Sequence, residues 1–341
     1  MKRILGLLLV LFVLAAAGGA WWFYAGVDRP FKGYDSAEIF VEIPQGVGSA
    51  GIATRLADAG IVRDVNSFRL ALWITGSGRR LQAGEYRFDQ PVSARQVADK
   101  IARGDVYVRP ITFPEGLTVK QMAAIYESKG FGPAKEFLDA AKNAGLVAAI
   151  DPDARDLEGY LFPDTYKLPR RATAEQLVGR MVQAFMKVLT PELIEAAEAR
   201  QLSLREFVTL ASIVEKETGN TDERPLVAAV YANRLRIGMP LQCDPTVIYA
   251  LDRLGRYDGN LTRDDLQFDS RYNTYRYPGL PPGPIASPGK ASLQAVAHPA
   301  NADYLYFVSR NDGSHAFASS LDEHNRNVQR YQVQYFRDKR H

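Results

Sequence analysis

Cysteine is almost missing from this chain: Cys243 is the single thiol among 341 residues. No internal disulfide framework can form, and no multi-cysteine zinc site. Histidine is nearly as scarce, with four in all, His298, His315, His324 and His341. None lies near Cys243 in sequence, so nothing pairs the thiol with a base. Free cysteine usually packs as a small hydrophobe, and Cys243 is expected to be buried and inert. His, Cys and Asp show no metal-ligand spacing, and neither metal nor cofactor is expected. An excess of charge of one sign is lacking too, since 42 Lys and Arg face 39 Asp and Glu, for a net charge of +3. That balance provides no concentrated basic face, so nucleic acid is not an expected partner.

What the chain does have is an ordinary apolar share, 46%, enough to bury a real core. Its length points to two or three folded units. Residues 4–27 carry no charge, and roughly 20 apolar residues suffice to cross a bilayer. Lys2 and Arg3 precede the run, which favours a cytoplasmic N-terminus (residues 1–3) and an outward-facing remainder. Trp21, Trp22, Phe23 and Tyr24 would sit at the far interface. The small residues Ala15–Ala20 would also suit signal cleavage. Because the run continues into the aromatic cluster, an uncleaved anchor is the favoured reading. With no cysteine near its end, lipid modification is excluded.

Residues 28–36 (DRPFKGYDS) read as a polar linker. A short strand (Ile39–Ile43), a Pro/Gly turn and a helix bearing Ile52, Leu56 and Ile61 follow. A similar segment recurs at 108–130, with Pro114-Glu115-Gly116 standing seventy positions after Pro44-Gln45-Gly46. Between them, LQAGEYRF (81–88) reads as a strand and SARQVADKIARG (93–104) as a capped helix ending at Gly104. Residues 37–106 thus form a strand–helix–helix–strand–helix unit that looks like a LysM-type carbohydrate-binding module. A structural spacer without ligand is the alternative.

From 132 onward the spacing is helical, over 173–200, 203–217 and 223–236, the last stopped by Gly238. Residues 256–290 are loop-rich. Tyr257, Tyr272, Tyr275 and Tyr277, with nearby Tyr249, argue for order there. Residues 302–310 and 315–319 read as a strand pair around Asn311-Asp312-Gly313, and a terminal helix starts at 321. The fold class is α+β, with a transmembrane helix, a small α/β subdomain and a larger, mostly helical domain (107–341) carrying a small β element.

The densest chemistry lies in 210–251. At about 100° per residue, Glu215 and Glu217 point away from each other and cannot share a cleft. Leu210, Ile213 and Val214 place Glu217 on the bulky apolar face. Glu215 shares a thinner stripe with Val208, Ala211 and Ser212. A carboxyl held against apolar side chains has a raised pKa, as a general acid near neutral pH requires. A surface Glu in a helix salt bridge is the plainer reading. Thr218 either hydrogen-bonds near the site or ends the helix. Asp244, in an Asp-Pro turn, is the nearest candidate for a second carboxylate. Glycosidases need a carboxylate pair. One acid suffices where the sugar's own 6-hydroxyl replaces water. Gln242, Asn233, Asn273 and the tyrosines would suit a sugar cleft.

The motifs EGYLFPDTY (158–166), ASIVEKET (211–218), NRLRIGMPLQCDPTVIYAL (233–251), YNTY (272–275), GLPPGPIASPG (279–289) and AHPA…YLYFV (297–308) resemble, in order, the YceG-like family of endolytic murein transglycosylases. Pro240 and Cys243 depart from the family pattern. The resemblance implies that Glu217, the second Glu of EKE, is the acid/base. The candidate substrate contacts are Thr218, Asn233, Gln242, Asp244, Thr246, Tyr249, Asn273 and Tyr275. The resemblance further implies cleavage between N-acetylmuramic acid and N-acetylglucosamine to leave 1,6-anhydro ends, and a single-pass inner-membrane protein with a periplasmic catalytic domain. Peptidoglycan strands and peptidoglycan synthases (penicillin-binding proteins) are the implied partners, with strand termination as the role. Two other readings are a non-catalytic scaffold that binds glycan, and a lysozyme-like hydrolase pairing Glu217 with Asp244.

Overall fold

The computed structural model describes the backbone of residues 2–338 and the side chains of residues 10–19, 21 and 24–337. The chain divides into two compact units, Met1–Arg109 and Pro110–His341, each built around its own core.

The first unit contains α1 (Lys2–Gly26), β1 (Ile39–Ile43), α2 (Ser49–Asp58), α3 (Val65–Thr75), β2 (Gly84–Phe88) and α4 (Ala94–Arg103). β1 and β2 pair antiparallel, from Ile39 opposite Phe88 to Ile43 opposite Gly84. Alternation along the strands turns Val41, Ile43, Tyr86 and Phe88 inward, onto Ile52, Leu56, Phe68, Val97 and Ile101 of the helices. Helix ends fall where the sequence offers caps. Asp64 accepts from the Ser67 amide, and Ser93 with Gln96 forms a reciprocal capping box. α1 covers most of the expected membrane span, and its Phe12 is 71% exposed. Among the described residues, no helix is long and apolar enough to cross a membrane. The expected span over 4–27 falls partly on residues 4–9, 20, 22 and 23, whose side chains lie outside the described residues.

The second unit opens with β3 (Arg109–Thr112), α5 (Val119–Ser128), α6 (Ala134–Ala141) and β4 (Thr165–Leu168), which pairs with β3. Then come α7 (Ala174–Val188), α8 (Pro191–Ala199), α9 (Leu204–Glu217), α10 (Arg224–Arg236), α11 (Asp244–Asp252) and α12 (Lys290–Ala297). β5 (Tyr306–Ser309) and β6 (His315–Ala318) form an antiparallel hairpin, and α13 (Leu321–Val328) continues through a π-helical stretch into α14 (Tyr335–Asp338).

The repeat at an offset of seventy is real in three dimensions. α2 and α5 both run for ten residues, each after a P-x-G turn in which Gly46 (φ +80°) and Gly116 (φ +75°) take the left-handed conformation that glycine tolerates. In both copies a second helix and a return strand follow, so one strand–turn–helix–helix–strand unit is used twice.

Several boundaries differ from the sequence expectation, the strand expected over 81–88 being regular only from Gly84. The helix expected over 173–200 breaks between α7 and α8, where Thr190 caps a new helix beginning with Pro191. The helix expected from 223 begins at Arg224, after a 3-10 turn over Thr221–Glu223. The strand expected over 302–310 is regular only from Tyr306. Ahead of it, the carbonyls of Ala302 and Tyr304 accept from the Asn233 amide, and that of Leu305 from Arg234.

α9 is the axis of the second unit. Every residue from Phe207 to Val214 is buried, and α10 and α12 pack along it. The expected contrast between a bulky and a thin face is therefore replaced by burial all round. The two faces diverge only at the helix end.

Candidate active site

α9 starts with a capping box, Ser203 and Glu206, and stops because Thr218 takes an extended backbone, φ −139° and ψ 131°. Glu217 is therefore the last helical residue. Thr218 is buried, and its hydroxyl accepts from the Asn220 amide at 3.0 Å, so it ends the helix and starts the next turn.

The carboxylates of the last turn point to different neighbourhoods, as helical geometry requires. Glu215 accepts from Arg224 Nη2 at 2.8 Å, the Ser292 hydroxyl at 2.7 Å and the Gly289 amide at 2.9 Å. It fixes the 279–289 loop to α9, aided by the Ser212 hydroxyl, which accepts from the Ile285 amide at 3.0 Å. The salt-bridge reading thus belongs to Glu215, and in the interior rather than on the surface.

Glu217 is partly exposed and, among the described residues, meets no cation as a direct partner. The Cys243 thiol donates to Glu217 Oε2 at 3.3 Å, and the Tyr231 hydroxyl of α10 lies within hydrogen-bonding reach of both the carboxyl and the thiol. Burial raises its pKa above the ordinary carboxylate range. The Cys243 hydrogen bond opposes that rise, the Asp244 charge adds to it, and Tyr231 and His315 oppose it. A thiol is a weak donor and leaves the neutral form favoured.

Cys243 is buried as expected, and its thiol also donates to Glu217. Burial and the neighbouring Glu217 push its own pKa well up, so it acts as a hydrogen-bond donor and not as a nucleophile.

Asp244 is the first residue of α11, and the Tyr275 hydroxyl donates to its Oδ1 at 2.6 Å. Gln242 is exposed and takes a left-handed backbone (φ +51°), with its backbone amide donating to the Thr274 carbonyl at 3.2 Å. The Cys243 amide donates to the Thr274 hydroxyl at 3.0 Å, and the Thr246 hydroxyl to the Cys243 carbonyl at 2.7 Å. Residues 242–246 are thereby stitched to the YNTY segment. The Asn273 amide donates to the Leu266 and Phe268 carbonyls, and Asn233 holds residues 302 and 304.

The structure thus brings Glu217, Cys243, Asp244 and Tyr275 together. Asn233, Thr246 and Asn273 have their polar atoms engaged within the protein. Tyr249 faces elsewhere, its hydroxyl donating to Glu158 Oε2 at 3.3 Å.

Sequence reasoning missed Tyr231, Arg234, His315 and Glu158. Arg234 is buried and donates to the Leu241 and Leu305 carbonyls at 2.7 Å each. His315 contacts Glu223 through Nδ1 at 2.7 Å. Tyr231 sits at an apolar helical position and reads as core. Among the described residues, no group of three or more His, Cys, Asp or Glu is arranged to hold a metal ion. What remains is one carboxyl whose pKa burial raises against the opposing pull of its uncharged donors, with the Asp244 carboxylate close by. It can give a proton to a leaving oxygen near neutral pH and afterwards take one back.

The model of the YceG-like family matches residues 41–330. A Bacillus subtilis (strain 168) protein named endolytic murein transglycosylase is 29% identical, the match covering 92% of this chain and 90% of that protein. A Streptococcus pneumoniae serotype 2 protein of the same name is 31% identical over 94% of this chain and 63% of its own length. The crystal structure of a yceG-like protein from Listeria monocytogenes is similar with a TM-score of 0.58 and 31% identity, covering 86% of this chain and 99% of that one. With the family model matched over most of its length, this chain belongs to the YceG-like family.

Proposed function

We propose that this chain is a lytic transglycosylase that cuts peptidoglycan glycan strands at internal bonds, with Glu217 as acid and then base. One observation carries the reading. At the end of a helix buried from Phe207 to Val214, a carboxyl with a raised pKa is met by a thiol and a phenol instead of a cation. Its relatives from Bacillus subtilis and Streptococcus pneumoniae bear the name endolytic murein transglycosylase.

In the reaction, protonated Glu217 gives its proton to the glycosidic oxygen as the bond from that oxygen to C1 of N-acetylmuramic acid breaks. The carboxylate left behind takes the proton of the sugar's own 6-hydroxyl as O6 closes onto C1. No water is consumed, and the product ends in 1,6-anhydro-N-acetylmuramic acid. Asp244, held by Tyr275 beside the acid, is suited to stabilise positive charge developing on the ring. Gln242 and Tyr275 supply polar contacts to the sugars.

The further parts of the reading are a single-pass inner-membrane anchor with a cytoplasmic N-terminus, a periplasmic catalytic unit, a glycan-binding LysM-like first unit and action on nascent strands beside the synthases. The charge-free run after Lys2 and Arg3 supports the anchor, as do the exposed apolar side chains Val10–Leu14 of α1.

Mass spectrometry of digested peptidoglycan tests the chemistry. Anhydro ends are expected from the wild-type chain and none from Glu217→Gln. Reducing ends as the main product would replace the mechanism with hydrolysis through Glu217 and Asp244. An unchanged effect of Glu217→Gln on strand length would replace it with a scaffold.

A further inference from the structure

Outside this acid, the second unit holds a cavity of about 470 Å³ whose lining includes Glu158, Arg155, Arg205, Arg253, Arg271 and Tyr272. Glu158 belongs to the EGYLFPDTY motif, which the proposed mechanism leaves without a part. Its side chain is buried. Oε1 accepts from the Val119 amide at the start of α5 at 3.0 Å, and Oε2 from the Tyr249 hydroxyl at 3.3 Å. Burial pushes its pKa up to about 8, which weakens its negative charge toward the cavity.

The cations are arranged differently. Arg205 is engaged by Asp151 at 2.9 Å. Arg253 lies over the rings of Tyr249 and Tyr272, 5.7 and 5.4 Å from their centres, and Arg271 lies over Tyr277 at 5.1 Å. Arg253 also hydrogen-bonds to Tyr272, and with five N–H donors each stacked guanidinium retains others for a ligand. Arg155 is exposed at the same cavity. On the acidic side, Asp151 is taken by Arg205, and Asp156 Oδ1 accepts from the Glu158 amide at 3.0 Å. The cavity therefore presents three available guanidinium groups against one unpaired carboxylate, the pattern that recognises a carboxylate ligand.

The cavity is also tied to the acid site. Tyr272 lines it, and three residues later Tyr275 holds Asp244, a span of at most roughly 11 Å of chain. From the other side, α11 runs from Asp244 toward Arg253, about 13 Å at helical rise. A short peptide attached to a sugar bound at Glu217 can reach across either distance.

We propose that this cavity is a subsite for the carboxylate-bearing peptide carried by the muramic acid of the glycan strand, held by Arg155, Arg253 and Arg271. The proposal rests on the reading of the chain as a peptidoglycan-cleaving enzyme. The subsite makes the enzyme prefer strands that still carry their peptides, while catalysis itself stays with Glu217.

The test compares cleavage of peptide-bearing strands with strands stripped of peptide by an amidase. The wild-type chain, the double variant Arg155→Ala/Arg271→Ala and the single variant Arg155→Glu are assayed in parallel. The expected result is a wild-type preference for peptide-bearing strands, expressed in KM. Loss of guanidinium groups should raise KM about tenfold on those strands, leaving kcat and the rate on stripped strands unchanged. The charge-reversed variant should lose the preference as well. Equal wild-type rates on both substrates, or a loss of the same size on both, overturns the subsite. Glu217-dependent cleavage of stripped strands would still stand in that case, which separates failure of the subsite from failure of the enzymatic reading.

Discussion

The last turn of α9 carries two carboxylates in opposite settings. On one side Glu215 meets Arg224, a hydroxyl and a backbone amide, and every donor is strong. On the other, Glu217 meets a thiol and a phenol and lies near the charge of Asp244. The residue type is the same and the chain positions are two apart. What differs is the donors that the neighbouring helices present. The cation and its companions tie Glu215 to a loop. Burial, opposed only by uncharged donors, raises the pKa of Glu217, as a group that gives and retakes a proton requires. The lesson is that the role of a buried carboxylate is read from its partners, not from its own burial.

The largest effect expected from breaking this contrast is on activity. Glu217→Gln should lower kcat by about 10²–10⁴-fold, while thermal unfolding stays at or above the wild-type temperature, because an amide mimics the neutral acid. A drop in stability would show that Glu217 is a structural residue like its neighbour. Glu215→Ala should do the reverse. It strands buried Arg224 and should cost about 3–5 kcal/mol, measured by denaturant unfolding. Glu215→Ala/Arg224→Leu should recover part of that loss.

A smaller effect concerns pH. Glu158 has a folded pKa above its unfolded one, up to about 8, so its stabilising contribution is intact below about 4.5 and is lost as pH rises through about 8. Glu158→Gln cannot ionise, and its unfolding free energy relative to wild type should improve between pH 5 and 9, by up to a few kcal/mol. A constant difference across that range would mean that Glu158 does not titrate there. Smallest of all, Cys243→Ser supplies a stronger donor to Glu217 and should move the high-pH limb of the activity profile to lower pH, by less than about one unit. Cys243→Ala should move it upward. Identical profiles for the two variants would remove the thiol from the tuning of the acid.

Much of the site was legible because helical geometry is local. The 100° step separated Glu215 from Glu217, and the apolar residues before Glu217 pointed to its desolvation. The P-x-G repeat was equally local and stands in the fold at the same offset. What was hidden depends on long-range packing. His315 and Tyr231 lie 98 and 14 positions after Glu217, and nothing in the intervening chain says that they converge on it. Asn233, Thr246 and Asn273 show a second limit. An amide or hydroxyl suited to a sugar is equally suited to a backbone carbonyl, and here their polar atoms meet the protein's own chain. Cys243 shows a third. Its burial followed from its chemistry, but contact with the acid followed only from the turn that YNTY holds in place.

The duplicated strand–turn–helix has unequal freedom to diverge. In the second copy, Gly116 donates its amide to the Ser287 carbonyl, and its own carbonyl accepts from Lys216, next to the acid. In the first copy, a Cβ placed on Gly46 would meet no atom within 4 Å among the described residues. The later turn is therefore tied through Lys216 to the helix end that carries Glu217, whereas the earlier one has open space around it and is held to glycine by its left-handed backbone alone.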